Sequence, residues 1–485
     1  MKSNLYSLLA CLGLFAAALP TTAQNLKTFV GTEEHQEVRT AREALSPVHL
    51  TAVSPEPEPC ITDDIREDVR LRIRQNKATI LTGNPHAFDR AKDGEVKFVS
   101  PIRPKEGFDD YGYHTINFLV DHNPSYNQHT DYYCGSRSYD WQGGNHEGVD
   151  FILWPYPWKY MQEEVMEIVA AASGTIVDKR DGNFDMSCLN NGNPNWNGVV
   201  IEHTDGSQAW YWHFKSGAIT DKEVGQTVEA GEYLGAAGSS GSSNWPHLHF
   251  EVYDSAGELV DPFEGPCNDM NEEGWWLEQE PYNVPTINRI STHYTTAFSG
   301  QCGQIETTYE EVDFFPGDSM VFRLFYRDLE TGAPTHIKMT SPSGAVYYDW
   351  VFTSPWDHYA TAVAYWPFVL LPGWTLGTYE MSATFGGNTY ITTFNLLDPL
   401  SVDDAESLSL TLVPNPASEL LRVSGLGAGG GGYAITDITG RRLASGKFQG
   451  GSPLTVNVAS FAPGVYFFVC EGEGNTEVRR FVVNR

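Results

Sequence analysis

The sequence predicts an all-β protein built of several sandwich-like domains, and three observations carry that expectation. Apolar and polar residues alternate over short runs such as Gly198-Val-Val-Ile-Glu-His203 and Ala209-Trp-Tyr-Trp-His-Phe214. A period of two puts one face of each run into a core. Turns at Pro316-Gly317, Pro342-Ser-Gly344 and Gly386-Gly-Asn388 punctuate the runs, which is the turn chemistry of β-sandwiches. The 485 residues are 41% hydrophobic and 13% aromatic, which supplies apolar surface for about three domains.

Residues 1–23 read as a signal peptide. Lys2 gives the positive start, Leu8 to Leu19 the apolar run, and Thr21-Thr22-Ala23 the small residues before Gln24. That run is too short to span a bilayer, and no later stretch reaches spanning length without charges, so no transmembrane segment is expected. A lipoprotein reading at Cys11 ranks lower, because most of the apolar run follows that residue. Residues 24–100 form a charged leader or pro-segment, with the Pro-Glu run Ser54-Pro-Glu-Pro-Glu-Pro59 and then one helix. Thr62 is its expected cap, and Ile65, Val69 and Ile73 its apolar stripe. The leader also carries His35, Asp63, Asp64 and Asn76, any of which can ligate a metal. It reads equally as an inhibitory segment or as a structural support.

Residues 101–266 hold the densest strand pattern, with Ile168 to Val177 expected as a strand pair turning at Ser173-Gly174. Residues 285–398 form a second sandwich with strands at Val321-Phe-Arg-Leu-Phe-Tyr326, Ala345-Val-Tyr-Tyr348 and Thr389-Tyr-Ile-Thr-Thr-Phe394. No set of His, Cys and acids converges there, so an accessory role in spacing or binding is expected. An acidic linker at 399–408 leads to a small C-terminal sandwich at 409–485.

Charge and cysteine bound the partners. The 31 basic and 62 acidic residues give −31, and loss of Lys2 with residues 1–23 makes it −32 (−31 − 1). Such a surface repels phosphate backbones and anionic lipid, so nucleic acid is not an expected partner. Cys11 leaves with the signal; Cys60, Cys134, Cys188, Cys267, Cys302 and Cys470 remain, with no CxxC zinc spacing. In an oxidising compartment disulfides are the default. Proximity suggests Cys134 with Cys188 and Cys267 with Cys302, from 15 connectivities that six cysteines allow.

Three stretches carry chemistry. In Asn145-His146-Glu147-Gly148-Val149-Asp150 the His and Asp share one face of an extended chain, and Gly148 removes bulk where a metal or substrate must approach. Trp210-Tyr-Trp-His213 and Pro246-His247-Leu248-His249-Phe250 follow, the last with both histidines on one face. Catalytic zinc takes three His or carboxylate ligands and keeps a fourth position for water. His146, Asp150 and one of His247 and His249 meet that need, with the other His of the pair and His213 beside the water. His203, in a His-Thr-Asp-Gly turn, and His114, His122, His129, His336 and His358, which lack any motif, read as packed histidines.

Residues 146–266 resemble the LytM/lysostaphin-type zinc endopeptidases, more closely their β-lytic branch. The His-x(3)-Asp and His-x-His motifs are intact. Between them, in order, stand Ala171-Ala-Ser-Gly-Thr-Ile-Val177, Val200-Ile-Glu-His-Thr-Asp-Gly206, Tyr211-Trp-His213, Val224-Gly-Gln-Thr-Val-Glu-Ala-Gly-Glu-Tyr-Leu-Gly235 and Gly238-Ser-Ser-Gly-Ser-Ser243. The resemblance implies a compact β-sandwich peptidase with one Zn2+ on His146, Asp150 and His249, and with His213 and His247 handling the proton and the oxyanion. It implies a peptide substrate, in peptidoglycan stems or cross-bridges or in Gly-rich proteins. Phe151 to Met161 and Asp181 to Trp196 look like insertions, whose aromatics either pack beneath their loops or line a cleft. The last segment resembles the C-terminal sorting domain of type IX secretion, through Pro414-Asn-Pro-Ala417, Ile435-Thr-Asp-Ile-Thr-Gly-Arg-Arg442, Gly464-Val-Tyr-Phe-Phe468 and Arg479-Arg-Phe-Val-Val-Asn-Arg485. That implies export to the cell surface or beyond through the type IX machinery.

Overall fold

Strand alternation decides the layering around the first core. In this computed structural model the residues described are 49–52, 61–89, 96–188, 193–297, 301–354, 358–398, 410–426, 429–438, 440–449, 451–472 and 475–484. Residues 1–23, expected as a signal peptide, His35, the Pro-Glu run and the linker at 399–408 lie outside them. An antiparallel sheet runs in the order Thr227–Val228, Gly174–Arg180, Gly198–His203, Gln208–Trp212, His247–Tyr253, Val149–Leu153, His114–Phe118, with Leu259–Val260 beside His247–Tyr253. On one face Val149, Phe151, Val199, Ile201, Tyr211, Leu248 and Phe250 share a core with Met166, Ile168, Phe214 and Leu234. The last four belong to a second sheet, Phe214–Ile219, Tyr233–Ala237, Met166–Val169, Ile102–Pro104.

The opposite face of the large sheet is apolar too. Val177, Val200, Trp210, Trp212 and Tyr253 form a separate cluster with Val69 and Ile73. Those two come from the helix Asp63–Gly83, which covers the sheet and leaves every residue of His247–Tyr253 buried. The buried helix positions are Arg66, Val69 and Ile73, whereas Ile65 is only partly buried against that cluster. Val69 and Ile73 of the expected stripe are therefore buried, and Arg66 takes the buried place expected of Ile65. Thr62 holds the cap position through its carbonyl, which accepts from the amides of Ile65 and Arg66 at 3.0 Å each; its side chain makes no capping bond.

Two expectations are corrected here. Met166–Val169 and Gly174–Arg180 are not a hairpin turning at Ser173-Gly174; they lie in different sheets. The link between them crosses layers, with the Ala170 amide on the Glu232 carbonyl and the Ala171 amide on the Tyr211 hydroxyl. The disulfides are Cys134–Cys267 and Cys188–Cys302, not the neighbours in sequence. The loop at Tyr132 folds onto the Cys267 amide, and the Cys302 loop reaches the Ser187 and Asn244 carbonyls. Loop closure costs only logarithmically more with length, so proximity in sequence is a poor guide. Cys470 is buried and has no disulfide.

A second sandwich packs Thr286–His293, Ser319–Leu329, Tyr359–Val369 and the leader strand His49–Ala52 against Asp313–Phe314, Asn388–Leu396, Gly377–Phe385, Pro334–Thr340 and Val346–Thr353. A third small sandwich is formed by Thr411–Val413, Leu420–Ser424 and Leu454–Asn457 over Arg442–Phe448, Gly431–Asp437, Gly464–Gly472 and Asn475–Val483. The first two are fused. Phe325 and Val363 of the second sandwich sit in the first core, and Trp154 Nε1 donates to the Tyr326 carbonyl at 3.0 Å. Trp154, Tyr156, Trp158 and Tyr160 are all buried, so the aromatics of that insertion pack beneath their loop. Among the described residues no helix is long and apolar enough to cross a membrane.

Candidate metal centre

The register of three strands builds the site on the helix-covered face. Asp150 stands opposite His249, and Trp212 stands opposite His249 on the other side. His213 follows Trp212 with φ +69°, a left-handed conformation that a non-glycine residue rarely adopts and that clusters at functional sites. His146 follows the short strand Gly144–Asn145, its amide on the Tyr139 carbonyl and its ring stacked on Tyr139 at 4.4 Å.

All five sequence-predicted residues converge, and all are buried. Donor atoms of His146, Asp150 and His249 all lie within 4.8 Å of one another. His249 Nδ1 is 2.7 Å from Asp150 Oδ1, and His146 Nε2 is 3.2 Å from both Asp150 Oδ2 and His249 Nδ1. His247 Nε2 lies 3.6 Å from Asp150 Oδ1, and the His213 and His247 rings are 4.5 Å apart.

The outward nitrogen of each ring faces an acceptor. His146 Nδ1 donates to the Leu119 carbonyl at 2.8 Å and His249 Nε2 to Glu251 Oε1 at 2.9 Å. His213 Nδ1 donates to the Ser240 carbonyl at 2.5 Å and His247 Nδ1 to the Trp245 carbonyl at 2.6 Å. A neutral imidazole has one N–H, so the inward nitrogens are left as lone pairs. Two such lone pairs and a carboxylate meeting make a candidate cation site, and the donor set is one that zinc takes. With those imidazoles protonated instead, burial still pushes the Asp150 carboxyl up, but the charges of His146 and His247 and hydrogen bonds from His146 and His249 outweigh it and hold it well below the usual range.

Gly148 serves a different purpose from the one expected. A Cβ there would stand 2.6 Å from Cε1 and Nε2 of His249, so the missing side chain makes room for the His249 ring. His203 is packed, its Nδ1 donating to the Ser173 carbonyl at 3.0 Å. Of the leader's candidate ligands, Asn76 donates to the Val177 carbonyl at 2.9 Å, and Asp63 and Asp64 are exposed on the helix. Sequence reasoning missed Glu251 and Arg66. Glu251 follows His247 and His249 at the same two-residue spacing, and that parity was the available signal.

Residues 145–262 match the description of peptidase family M23. The chain carries a peptidase family M23 domain. Residues 411–484 match a secretion system C-terminal sorting domain. The M23 domain is similar to glycyl-glycine endopeptidase ALE-1 of Staphylococcus capitis, 33% identical over 109 residues, covering 22% of this chain and 25% of that protein. Lysostaphin of Staphylococcus simulans is 33% identical over 109 residues, covering 22% of this chain and 18% of that one. The chain thus spans a quarter or less of the length of these relatives. A solved M23 peptidase from Pseudomonas aeruginosa aligns with 43% of this chain and 62% of its own at 18% identity, TM-score 0.21.

Proposed function

We propose that the chain is an exported zinc metalloendopeptidase that hydrolyses peptide bonds in the stems or cross-bridges of peptidoglycan. The observation that carries this reading is the convergence of His146, Asp150 and His249 beside His213 and His247, within the segment that matches family M23. His146, Asp150 and His249 would hold one zinc ion. When bound, the ion supplies a Lewis acid for the scissile carbonyl and brings the pKa of a water to about 7.

The chain's own groups do the rest. His213 and His247 have their Nδ1–H groups tied to backbone carbonyls, so each offers Nε2. One accepts the proton of the attacking water and passes it to the amine as the C–N bond breaks. The other, protonated at Nε2 from solvent beforehand, donates a hydrogen bond to the carbonyl oxygen as negative charge develops there and keeps its proton. The burial of the rings keeps that charge in a low dielectric, where such hydrogen bonds count for more. The sorting domain supports type IX export to the surface, and the glycyl-glycine endopeptidase among the relatives supports bonds between small residues.

Digestion of purified peptidoglycan and of a Gly-rich protein side by side, with product masses, tests the substrate. New muropeptides ending at one bond type are expected. Cleavage of the Gly-rich protein alone would move the same chemistry to protein substrates. Zinc retention with no cleavage of either would make the domain a binding module.

A further inference from the structure

The helix Asp63–Gly83 reaches the metal centre through one side chain. Arg66, 2% exposed, donates from Nη2 to Glu251 Oε1 at 2.8 Å and from Nε to the same oxygen at 3.2 Å. Glu251 is fully buried, and that oxygen also accepts Nε2–H of His249 at 2.9 Å. The Tyr253 hydroxyl donates to the other Glu251 oxygen at 2.8 Å. Glu147, next to His146, takes a further face of Arg66, with Oε2 3.0 Å from Nε. The helix itself is pinned to the sheet by Lys77 on Glu202 at 2.6 Å, by Arg72 on Asp178 and by Asn76 on the Val177 carbonyl.

We propose that Arg66 is a positioning residue of the metal centre, which sets Glu251 so that Glu251 holds His249 with Nδ1 turned to the metal. This deepens the zinc reading and rests on it. A carboxylate on the outer N–H of a ligand histidine fixes the ring and raises its basicity. A carboxylate buried without a partner turns away towards other donors. Arg66 holds Glu251 in place with two hydrogen bonds. The segment carrying this helix is then a permanent part of the enzyme, and its removal disables the site instead of releasing it.

The test uses the whole mature chain as wild type, Arg66→Met, Arg66→Lys and the double variant Arg66→Met/Glu251→Gln. The double variant leaves no unpaired charge at the Arg66–Glu251 contact, so it keeps the question open to an answer should Arg66→Met fail to fold. Zinc affinity is read by competition with a chromogenic chelator, and thermal melting of each metal-free form is recorded beside it. Arg66→Met should bind zinc about 10- to 100-fold more weakly. The double variant should melt near wild type and remain weakened about 10-fold or more, and Arg66→Lys should recover part of the affinity. Wild-type zinc affinity in the double variant would overturn the proposal, because Arg66 would then only balance a buried charge. Failure of the wild type itself to bind zinc would instead remove the ligand reading, and this inference with it.

Discussion

The imidazole of His249 is held at both nitrogens, by Glu251 at 2.9 Å and beside Asp150 at 2.7 Å, with Gly148 leaving space for the ring. His247, two residues earlier on the same face, is tied to a backbone carbonyl and stands further from Asp150, at 3.6 Å. These settings predict different losses. His249→Ala should lose zinc and activity together. His247→Ala and His213→Ala should keep zinc and lose about 10²- to 10⁴-fold in turnover, the range for a proton-handling group. Metal content and turnover of the three purified variants check this, and zinc loss in His247→Ala as complete as in His249→Ala would reverse the assignment. The shared face of His247 and His249 was legible in the sequence because a two-residue spacing fixes the face of a strand whatever its partners are; the choice of His249 over His247 rested on the family resemblance. Arg66 was not legible, since nothing local says that an arginine one position from an apolar stripe turns inward to a carboxylate 185 residues away.

Among the elements, the helix Asp63–Gly83 shows how far pattern alone goes. Its existence followed from four-residue spacing, but its exact facing depended on the sheet beneath. Ile73 is buried against that sheet, whereas Ile65 lies at its edge and is only partly buried. Ile73→Ala should therefore cost about 2–4 kcal/mol, as for a core truncation, and Ile65→Ala clearly less. Thermal or urea unfolding of the mature chain measures both, and equal losses would contradict the observed facing. Which strands share a sheet was less legible for the same reason. Met166–Val169 and Gly174–Arg180 alternate alike, and only the long-range partners Tyr233–Ala237 and Gly198–His203 separate them. The disulfides failed on the same point, since both bridge segments more than a hundred residues apart, with separations of 133 and 114.

Across the whole molecule, pH acts on histidines outside the metal centre. Burial pushes the pKa of His114, His203 and His293 down, with Arg327 adding to the effect at His114 and Arg323 at His293. The unfolded chain takes up protons at these groups below about pH 6.5, and the folded chain does not. Stability is therefore fully present above that pH and falls as the pH drops below it, by up to about 1.4 kcal/mol per group for each pH unit. Burial pushes His122 down, but Asp261 and Asp269 outweigh it and hold it up, so this one group opposes the other three. Melting temperatures should still decline between about pH 7.5 and about pH 5.5, and a flat profile would contradict the burial of those three rings. Acid thus weakens the fold as well as any histidine chemistry, so metal dependence has to be measured near neutrality. The decisive measurement is a zinc titration of the metal-free mature chain, following new amino groups released from peptidoglycan. The account predicts no release without metal, a rise in proportion to zinc up to a single equivalent, and a plateau beyond it. Cleavage by the metal-free chain, or no cleavage of any peptide substrate once zinc is bound, would contradict it.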